Sequence, residues 1–369
     1  MKFIDLFAGV GGFRLALEGL GHKCVFSSEM NSSCQRVYEK NFGEKPFGDI
    51  NDLTPSMIPE FDILCAGFPC QPFSLCGKKE GFRDKTRGTL FFNIAEIISA
   101  KKPKIILLEN VKGLVTNDKG NTLKTILGTL EDYGYTVFWK VLDTYDFGIP
   151  QNRERWYCVA FKDIVTKFEF PVGDQSGTTL ASIMDINHID PELNLSDEEL
   201  KRIEYHFEMM DKTPRVKHCN KHCNPNSKKG KFGIYSYLKP DNALRFHTGD
   251  SAKSQIQDDY YVSLKSVSPT LIATRAPKVW DLKRHLSVDE CKKLQGFPAK
   301  YDFSDVSIKT AKKQLGNAVT VAVVKEIAYE MISHYETNLN NPKINNRIKS
   351  SQSEQLEFLE ASFEREYVV

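Results

Sequence analysis

Cys70 is the residue best placed to do covalent chemistry. It lies in Gly67-Phe68-Pro69-Cys70-Gln71-Pro72-Phe73-Ser74, directly after the apolar run Ile63 to Ala66. Two prolines restrict the backbone around the thiol, and a loop that follows a strand is a poor place for core filler. A thiol with a pKa of about 8.5 is roughly a tenth ionised at neutral to slightly basic pH, so a modest positive potential makes it a nucleophile. Cys76 is an internal rival, but it adjoins the Gly- and Lys-rich stretch Gly77 to Gly88, which reads as a mobile loop. A carboxyl group follows in Glu109-Asn110-Val111, after the apolar run Ile105 to Leu108. It suits a proton donor or hydrogen-bond partner for a heterocycle, or more plainly a helix cap or surface ion pair. Gln151-Asn152-Arg153-Glu154-Arg155 puts Arg153 and Arg155 on one face if the segment is extended. Such a pair fits a carbonyl, a phosphate or a carboxylate.

A second group of residues has the makings of a nucleoside site. Phe7-Ala8-Gly9-Val10-Gly11-Gly12 is a glycine-rich turn leading into a helix, where amide hydrogens stand unpaired. Alone it is equally an ordinary tight turn, and its spacing is not the dinucleotide fingerprint Gly-x-Gly-x-x-Gly. The next strand ends in Ser28-Glu29, an acid placed to meet ribose hydroxyls, and Asp49 in Gly48-Asp49-Ile50 suits an adenine amino group. A nucleoside site with no phosphate clamp favours S-adenosylmethionine over a nicotinamide cofactor.

These residues need a scaffold, and the hydropathy pattern supplies one. Short apolar runs predict strands at Phe3 to Phe7, Cys24 to Ser28, Ile63 to Ala66, Ile105 to Leu108, Thr136 to Leu142 and Trp156 to Phe161. Helices are predicted between them, among others at Phe13 to Leu20, Leu90 to Ala100 and Leu123 to Tyr133. The alternation describes an α/β, doubly wound parallel sheet, which binds ligands beyond the carboxyl ends of its strands. From about residue 165 the sequence turns polar, and it returns to an apolar helical stretch at Ala311 to Tyr329. An Asn-rich linker from about Glu336 and an amphipathic segment from Gln355 to Glu366 close the chain, with no chemistry assigned to them. The 369 residues are 41% hydrophobic and carry a net charge of only +2. Residues 201–250, however, hold 11 Lys/Arg against 5 Asp/Glu, so the basic charge is concentrated there, as on a phosphate-facing wall. Nine cysteines without framework spacing point to free thiols. The absence of a leader or a membrane-length apolar run predicts a cytoplasmic protein with no membrane partner. His218, Cys219, His222 and Cys223 are metal-binding types, but four ligands inside six residues lack the two separated halves of a zinc site, so no metal is expected.

Taken in order, these blocks resemble the DNA cytosine-5 methyltransferase family of bacterial or phage restriction-modification type, from residue 2 to about 330. The resemblance rests on Phe7 to Gly12, Pro69-Cys70-Gln71, Glu109-Asn110-Val111 and Gln151 to Arg155. It continues through Ser268-Pro269-Thr270-Leu271, Leu294 to Pro298 and Gln314 to Val319. It implies a Rossmann-like S-adenosylmethionine-dependent methyltransferase sheet (residues 1–165), a smaller inserted target-recognition domain (166–304), a segment completing the catalytic domain (305–335) and an appendage (336–369). It implies that Cys70 attacks carbon 6 of a cytosine flipped out of double-stranded DNA, that Glu109 engages ring nitrogen 3, and that Arg153 and Arg155 hold base and acid. Phe7, Gly9, Gly11, Glu29, Met30, Asp49, Ile50, Leu90 and Asn317 match cofactor-contacting positions. The loop from Ser74 to Gly88 is then expected to close over the base. Arg245, Asn242 and Gln255 are candidates for reading flanking bases. A monomer is expected, with a separately acting restriction endonuclease as a candidate partner and a nucleoid-associated location. The rivals are the branch of the family that methylates transfer RNA, whose Cys-Phe-Thr signature is absent here, and a catalytically inactive DNA-binding regulator. A nicotinamide or flavin enzyme is a distant third.

Overall fold

The computed structural model describes residues 1–69, 90–164, 167–174, 177–187, 190–218, 234–240, 242–248 and 256–339. Cys70, Cys76, the 74–88 loop, Cys219, His222, Cys223, Gln255 and the 355–366 segment lie outside the described residues.

Strands form where the apolar runs predict them, at β1 (Lys2–Leu6), β2 (Lys23–Ser28), β3 (Ile63–Gly67), β4 (Ile105–Val111), β5 (Tyr135–Asp143) and β7 (Glu154–Lys162), and a short further strand, β6 (Gln151–Asn152), forms in a polar segment. All but β6 join one sheet in the order β2-β1-β3-β4-β7-β5. From β2 to β4 the neighbours are parallel, and β7 lies antiparallel to β4. Parallel neighbours require crossovers, and helices α1 (Gly12–Glu18), α2 (Ser32–Phe42), α3 (Leu90–Lys101) and α4 (Asn121–Asp132) provide them. Strands covered on both faces need mostly apolar side chains, which is why β1, β3 and β4 read as apolar runs, broken in β1 by Asp5 and ended in β4 by Glu109 and Asn110. On one face Ile4, Leu6, Leu64, Ala66, Ile106 and Leu108 pack with Phe91, Ile94 and Ile98 of α3 and Leu123 and Ile126 of α4. The chain leaves β1 toward β2 on one side and re-enters at β3 on the other, so the strand order reverses at β1. The crevice past the carboxyl ends there is where such sheets take ligands.

The chain divides into two compact units: residues 1–142, 154–172 and 321 onward, and residues 143–153 with 173–320. The second unit contains β8 (Val216–His218), β9 (Ile234–Leu238), β10 (Leu244–Thr248), β11 (Ile256–Val262), β12 (Ser268–Pro269), β13 (Lys278–Val279) and β14 (Arg284–His285). Its helices are α5 (Asp197–Met209), α6 (Val288–Leu294) and α7 (Ile308–Asn317). A six-stranded sheet runs β14-β13-β11-β10-β9-β8, and β12 pairs with β6. Ser196 caps α5 in a reciprocal box with Glu199, and the helix packs Ile203 near Ile234, Leu244, Phe246 and Tyr261 of the sheet. No strand was expected here, because the strands are short and one face is polar.

Boundaries differ from the expected 1–165, 166–304 and 305–335. Residues 143–153 and 305–320 fall in the second unit. The physical cause is visible at Ala318, whose extended backbone (φ −67°, ψ 151°) ends α7. The apolar stretch Ala311 to Tyr329 is therefore two helices, and only α8 (Val321–Leu339) returns to the first unit, where it packs on α1. Among the described residues no helix is long and apolar enough to cross a membrane, and Cys24, Cys65, Cys158 and Cys291 are free thiols.

Candidate active site

After Leu6 the chain must turn sharply into α1. Phe7, Gly9 and Gly11 all have positive φ, at 56°, 55° and 79°. At Gly11 a Cβ would strike the Phe42 ring, so only glycine fits. Phe7 holds the left-handed region at a cost of about 1–2 kcal/mol, which marks a turn fixed by its surroundings. The neighbouring strand β2 ends at Ser28 and brings Glu29 beside this turn. Its Oε2 accepts the Gly9 amide at 2.8 Å and its Oε1 the Asn31 amide at 2.7 Å. Both oxygens retain lone pairs, so the carboxylate is oriented with acceptor capacity to spare. Ser28 Oγ donates to the Gly48 carbonyl at 2.9 Å, tying the next segment to the end of β2. There Asp49 Oδ1 accepts from the Asn51 amide and side chain at 2.9 and 2.8 Å, and Ile50 is buried. Met30 is 68% exposed at the rim, and half-buried Leu90 opens α3. Phe7, Gly9, Gly11, Glu29, Met30, Asp49 and Ile50 thus gather at the carboxyl ends of β1 and β2. Asn317 belongs to the second unit and is exposed at the end of α7.

The cradle suits a nucleoside bearing an amino acid rather than a phosphate. Arg14, the basic group of α1, is committed: its guanidinium pairs with Glu18 at 2.8 Å and Glu44 at 2.9 Å and lies 4.5 Å over the Phe42 ring. Beneath the turn sits a residue the sequence reasoning missed. Asp5 is fully buried in β1, and burial pushes its carboxyl up to about 8, opposed by the amide and charge of Arg14. Its only signal in the sequence is an acid inside an apolar run.

The acid side of the site is built by register. Gly67 of β3 lies opposite Glu109 of β4, and Val111 of β4 opposite Arg155 of β7. Glu109, 9% exposed, meets Arg155 Nε at 3.3 Å, and Arg155 Nη1 donates to the Glu154 carbonyl at 2.8 Å. Asn110 Nδ2 donates to the Phe68 carbonyl at 2.9 Å. Phe68 is two residues before Cys70, so Asn110 anchors the point from which the thiol's loop departs.

Arg153 behaves differently. The strand is interrupted there, so Arg153 and Arg155 do not continue one extended run. Nη1 of Arg153 donates to the Leu271 carbonyl at 2.8 Å, and Nη2 to those of Gly316 at 3.2 Å and Ala318 at 2.7 Å. These carbonyls flank Asn317, which makes Arg153 a staple for that segment. Buried Gln151 works beside it, bonding the Leu294 carbonyl and the Leu271 amide at 2.7 Å each. Gln295 bonds the Leu315 carbonyl at 2.7 Å and Thr320 at 3.0 Å. At Gly316 a Cβ would run into the backbone of Ile272 and Ala273. The later sequence blocks are thus joined by buried polar side chains whose partners lie far along the chain. Among the described residues no group of side chains is arranged to hold a metal, and His218 Nε2 bonds Ser236 Oγ at 2.7 Å.

The sequence profile of the C-5 cytosine-specific DNA methylases matches residues 1–333. Over 333 residues the chain is 44% identical to the type II methyltransferase M.HaeII of Haemophilus aegyptius, covering 90% of this chain and 93% of that one. It is 37% identical to the type II methyltransferase M.HhaI of Haemophilus parahaemolyticus, covering 90% and 94%. The crystal structure of a Spodoptera frugiperda DNMT2 mutant superposes with a TM-score of 0.63 at 19% identity, over 90% of this chain and 99% of that one, a likeness of fold.

Proposed function

The chain belongs to the C-5 cytosine-specific DNA methylase family, and from that premise we propose how its own residues carry the reaction. It is a type II DNA (cytosine-5)-methyltransferase that uses S-adenosylmethionine. Cytosine is too poor a nucleophile at carbon 5 until a group adds across the ring. Cys70 adds as the thiolate to carbon 6 of a base extruded from the duplex, while Glu109 gives a proton to ring nitrogen 3. The electrons of the carbon 5–carbon 6 double bond then make carbon 5 nucleophilic. S-adenosylmethionine supplies an electrophilic methyl group there. Loss of the carbon-5 proton to a base re-forms the double bond, expels the thiolate and returns the nitrogen-3 proton to Glu109.

The observation that carries this reading is the carboxyl group of Glu109, oriented by Arg155 and lying in register with Gly67, where the chain departs toward Cys70. Arg155 keeps the acid aimed; Arg153 acts at a distance by holding the Asn317 segment. Gly9, Gly11, Glu29, Asp49 and Asn317 would hold the cofactor, with Phe7, Met30, Ile50 and Leu90 against it. The enzyme acts as a monomer in the bacterial cytoplasm and protects DNA from a separate restriction endonuclease.

The test is transfer from radiolabelled S-adenosylmethionine to unmethylated duplex DNA, with transfer RNA in parallel and bisulfite sequencing of the product. Label confined to cytosines in one short DNA motif is expected. Cys70→Ser should abolish transfer while leaving DNA binding measurable. Unchanged turnover in that variant would sink the proposal, and label on RNA alone would replace the DNA substrate.

A further inference from the structure

The sheet of the second unit has two unlike faces. Side chains alternate along each strand, and Ile234, Leu244, Phe246 and Tyr261 turn toward α5. The opposite face therefore carries Tyr235 and Tyr237 of β9, Arg245 and His247 of β10 and Tyr260 of β11. Register sets Arg245 between Tyr237 and Tyr260 on neighbouring strands. The Tyr260 ring has two guanidinium groups against it, Arg245 at 4.9 Å and Arg275 at 4.2 Å from its centroid. Beside them His247 stacks on Tyr235 at 5.7 Å.

These two arginines differ from the structural arginines of the same unit. Arg284 is saturated by Glu290, the Asp185 carbonyl and the His285 carbonyl, and both terminal nitrogens of Arg153 are engaged by three carbonyls. Among the described residues neither Arg245 nor Arg275 has a carboxylate or side-chain hydrogen-bond partner, and Nε of Arg275 is buried without one. A guanidinium held over an aromatic ring, partly desolvated and lacking acceptors, is preorganised for a flat bidentate acceptor. In duplex DNA that acceptor is the major-groove edge of guanine, O6 with N7. Phosphate contact has other candidates close by, because Arg275 also borders a groove lined by Lys309 and Lys313, both exposed on α7.

We infer that Arg245 and Arg275, stacked on Tyr260, read guanines in the recognition sequence, and that Lys309 and Lys313 hold the adjoining phosphates. The inference rests on the DNA reading above and names the surface that gives it sequence selectivity. Of the three base-reading candidates in the sequence it retains Arg245. Asn242 is a turn residue at φ 60° whose carbonyl accepts Trp280 Nε1 at 3.1 Å, and Gln255 lies outside the described residues.

The experiment compares wild type, Arg245→Lys, Arg275→Lys, and Lys309→Ala with Lys313→Ala, on a duplex library with randomised bases around the target cytosine. Methylated positions are read by bisulfite sequencing, and affinity for preferred and scrambled duplexes by fluorescence anisotropy. Each Arg→Lys change keeps the charge and removes the fork. It should cost about tenfold or more in preference for guanine at one position, with affinity for scrambled DNA nearly unchanged. The lysine pair should weaken binding alike for every sequence and flatten its salt dependence. Wild-type motifs in both arginine variants would overturn the inference, and so would a uniform loss across all sequences. A wild-type enzyme that methylates no duplex at all would instead remove the parent reading, so the two failures are told apart.

Discussion

Two acids in the first unit differ in their surroundings. Asp5 carries its carboxyl at about 8 when folded, against 3.8 ordinarily, because burial penalises the charge. Between those values the folded chain holds a proton that the unfolded chain has released. Stability is therefore fullest at low pH and falls as pH rises, by up to about 1.4 kcal/mol per unit across that window. Asp5→Asn removes the effect. Its melting temperature should exceed that of wild type by a margin that widens from pH 5 to pH 8.5, whereas a constant margin would show the carboxyl to be ionised in the folded protein. Glu109, by contrast, is paired with Arg155. Glu109→Gln should lower kcat by about a hundredfold or more and leave DNA affinity near that of wild type. Parallel rapid-quench and binding measurements would check this, and an equal loss in both would make Glu109 a binding residue. Glu109 and Arg155 were legible because each follows or opens an apolar strand. Asp5 was not, since nothing local distinguishes a buried acid from an exposed one.

At the level of elements, the strands of the first sheet were legible because residues buried on both faces leave a largely apolar record. Its glycine turn was legible for a related reason: Gly11 has no room for a side chain. The second sheet left almost no record. Its strands run two to seven residues, and the face bearing Tyr237, Arg245 and His247 is as polar as a loop. The apolar helical stretch Ala311 to Tyr329 forms as two helices because the break at Ala318 to Thr320 is stabilised from outside, by Arg153 on Ala318 and Thr144 on Thr320. Gly316→Ala should therefore drive the end of α7 into the backbone of Ile272 and Ala273, costing about 1–3 kcal/mol by denaturant unfolding. It should also raise the KM for S-adenosylmethionine if Asn317 is a contact. A variant as stable as wild type would mean that the 272–273 segment gives way freely.

Over the whole molecule, a small net charge conceals an uneven one, with 11 Lys/Arg against 5 Asp/Glu in residues 201–250, a stretch of the unit that contains the second sheet. The turns proposed to hold the cofactor, by contrast, belong almost entirely to the first unit. Saturating S-adenosylmethionine should accordingly stabilise the protein, by about 2.7 kcal/mol at a hundred times Kd, seen as a rise in melting temperature. Glu29→Ala should lose most of that rise; retention of the full shift would place the cofactor elsewhere. The sequence by itself determined the family, through motifs in their order, and the places of the glycine turn and Glu109, each beside a strand whose apolar period is local. What the tertiary structure decided was the use of residues whose partners are remote. The fork of Arg153 closes on carbonyls 118, 163 and 165 residues away, and Arg245 and Arg275 meet only on Tyr260. Arginines in a sequence look alike until folding assigns their acceptors, because a guanidinium takes its role from the oxygen atoms within reach.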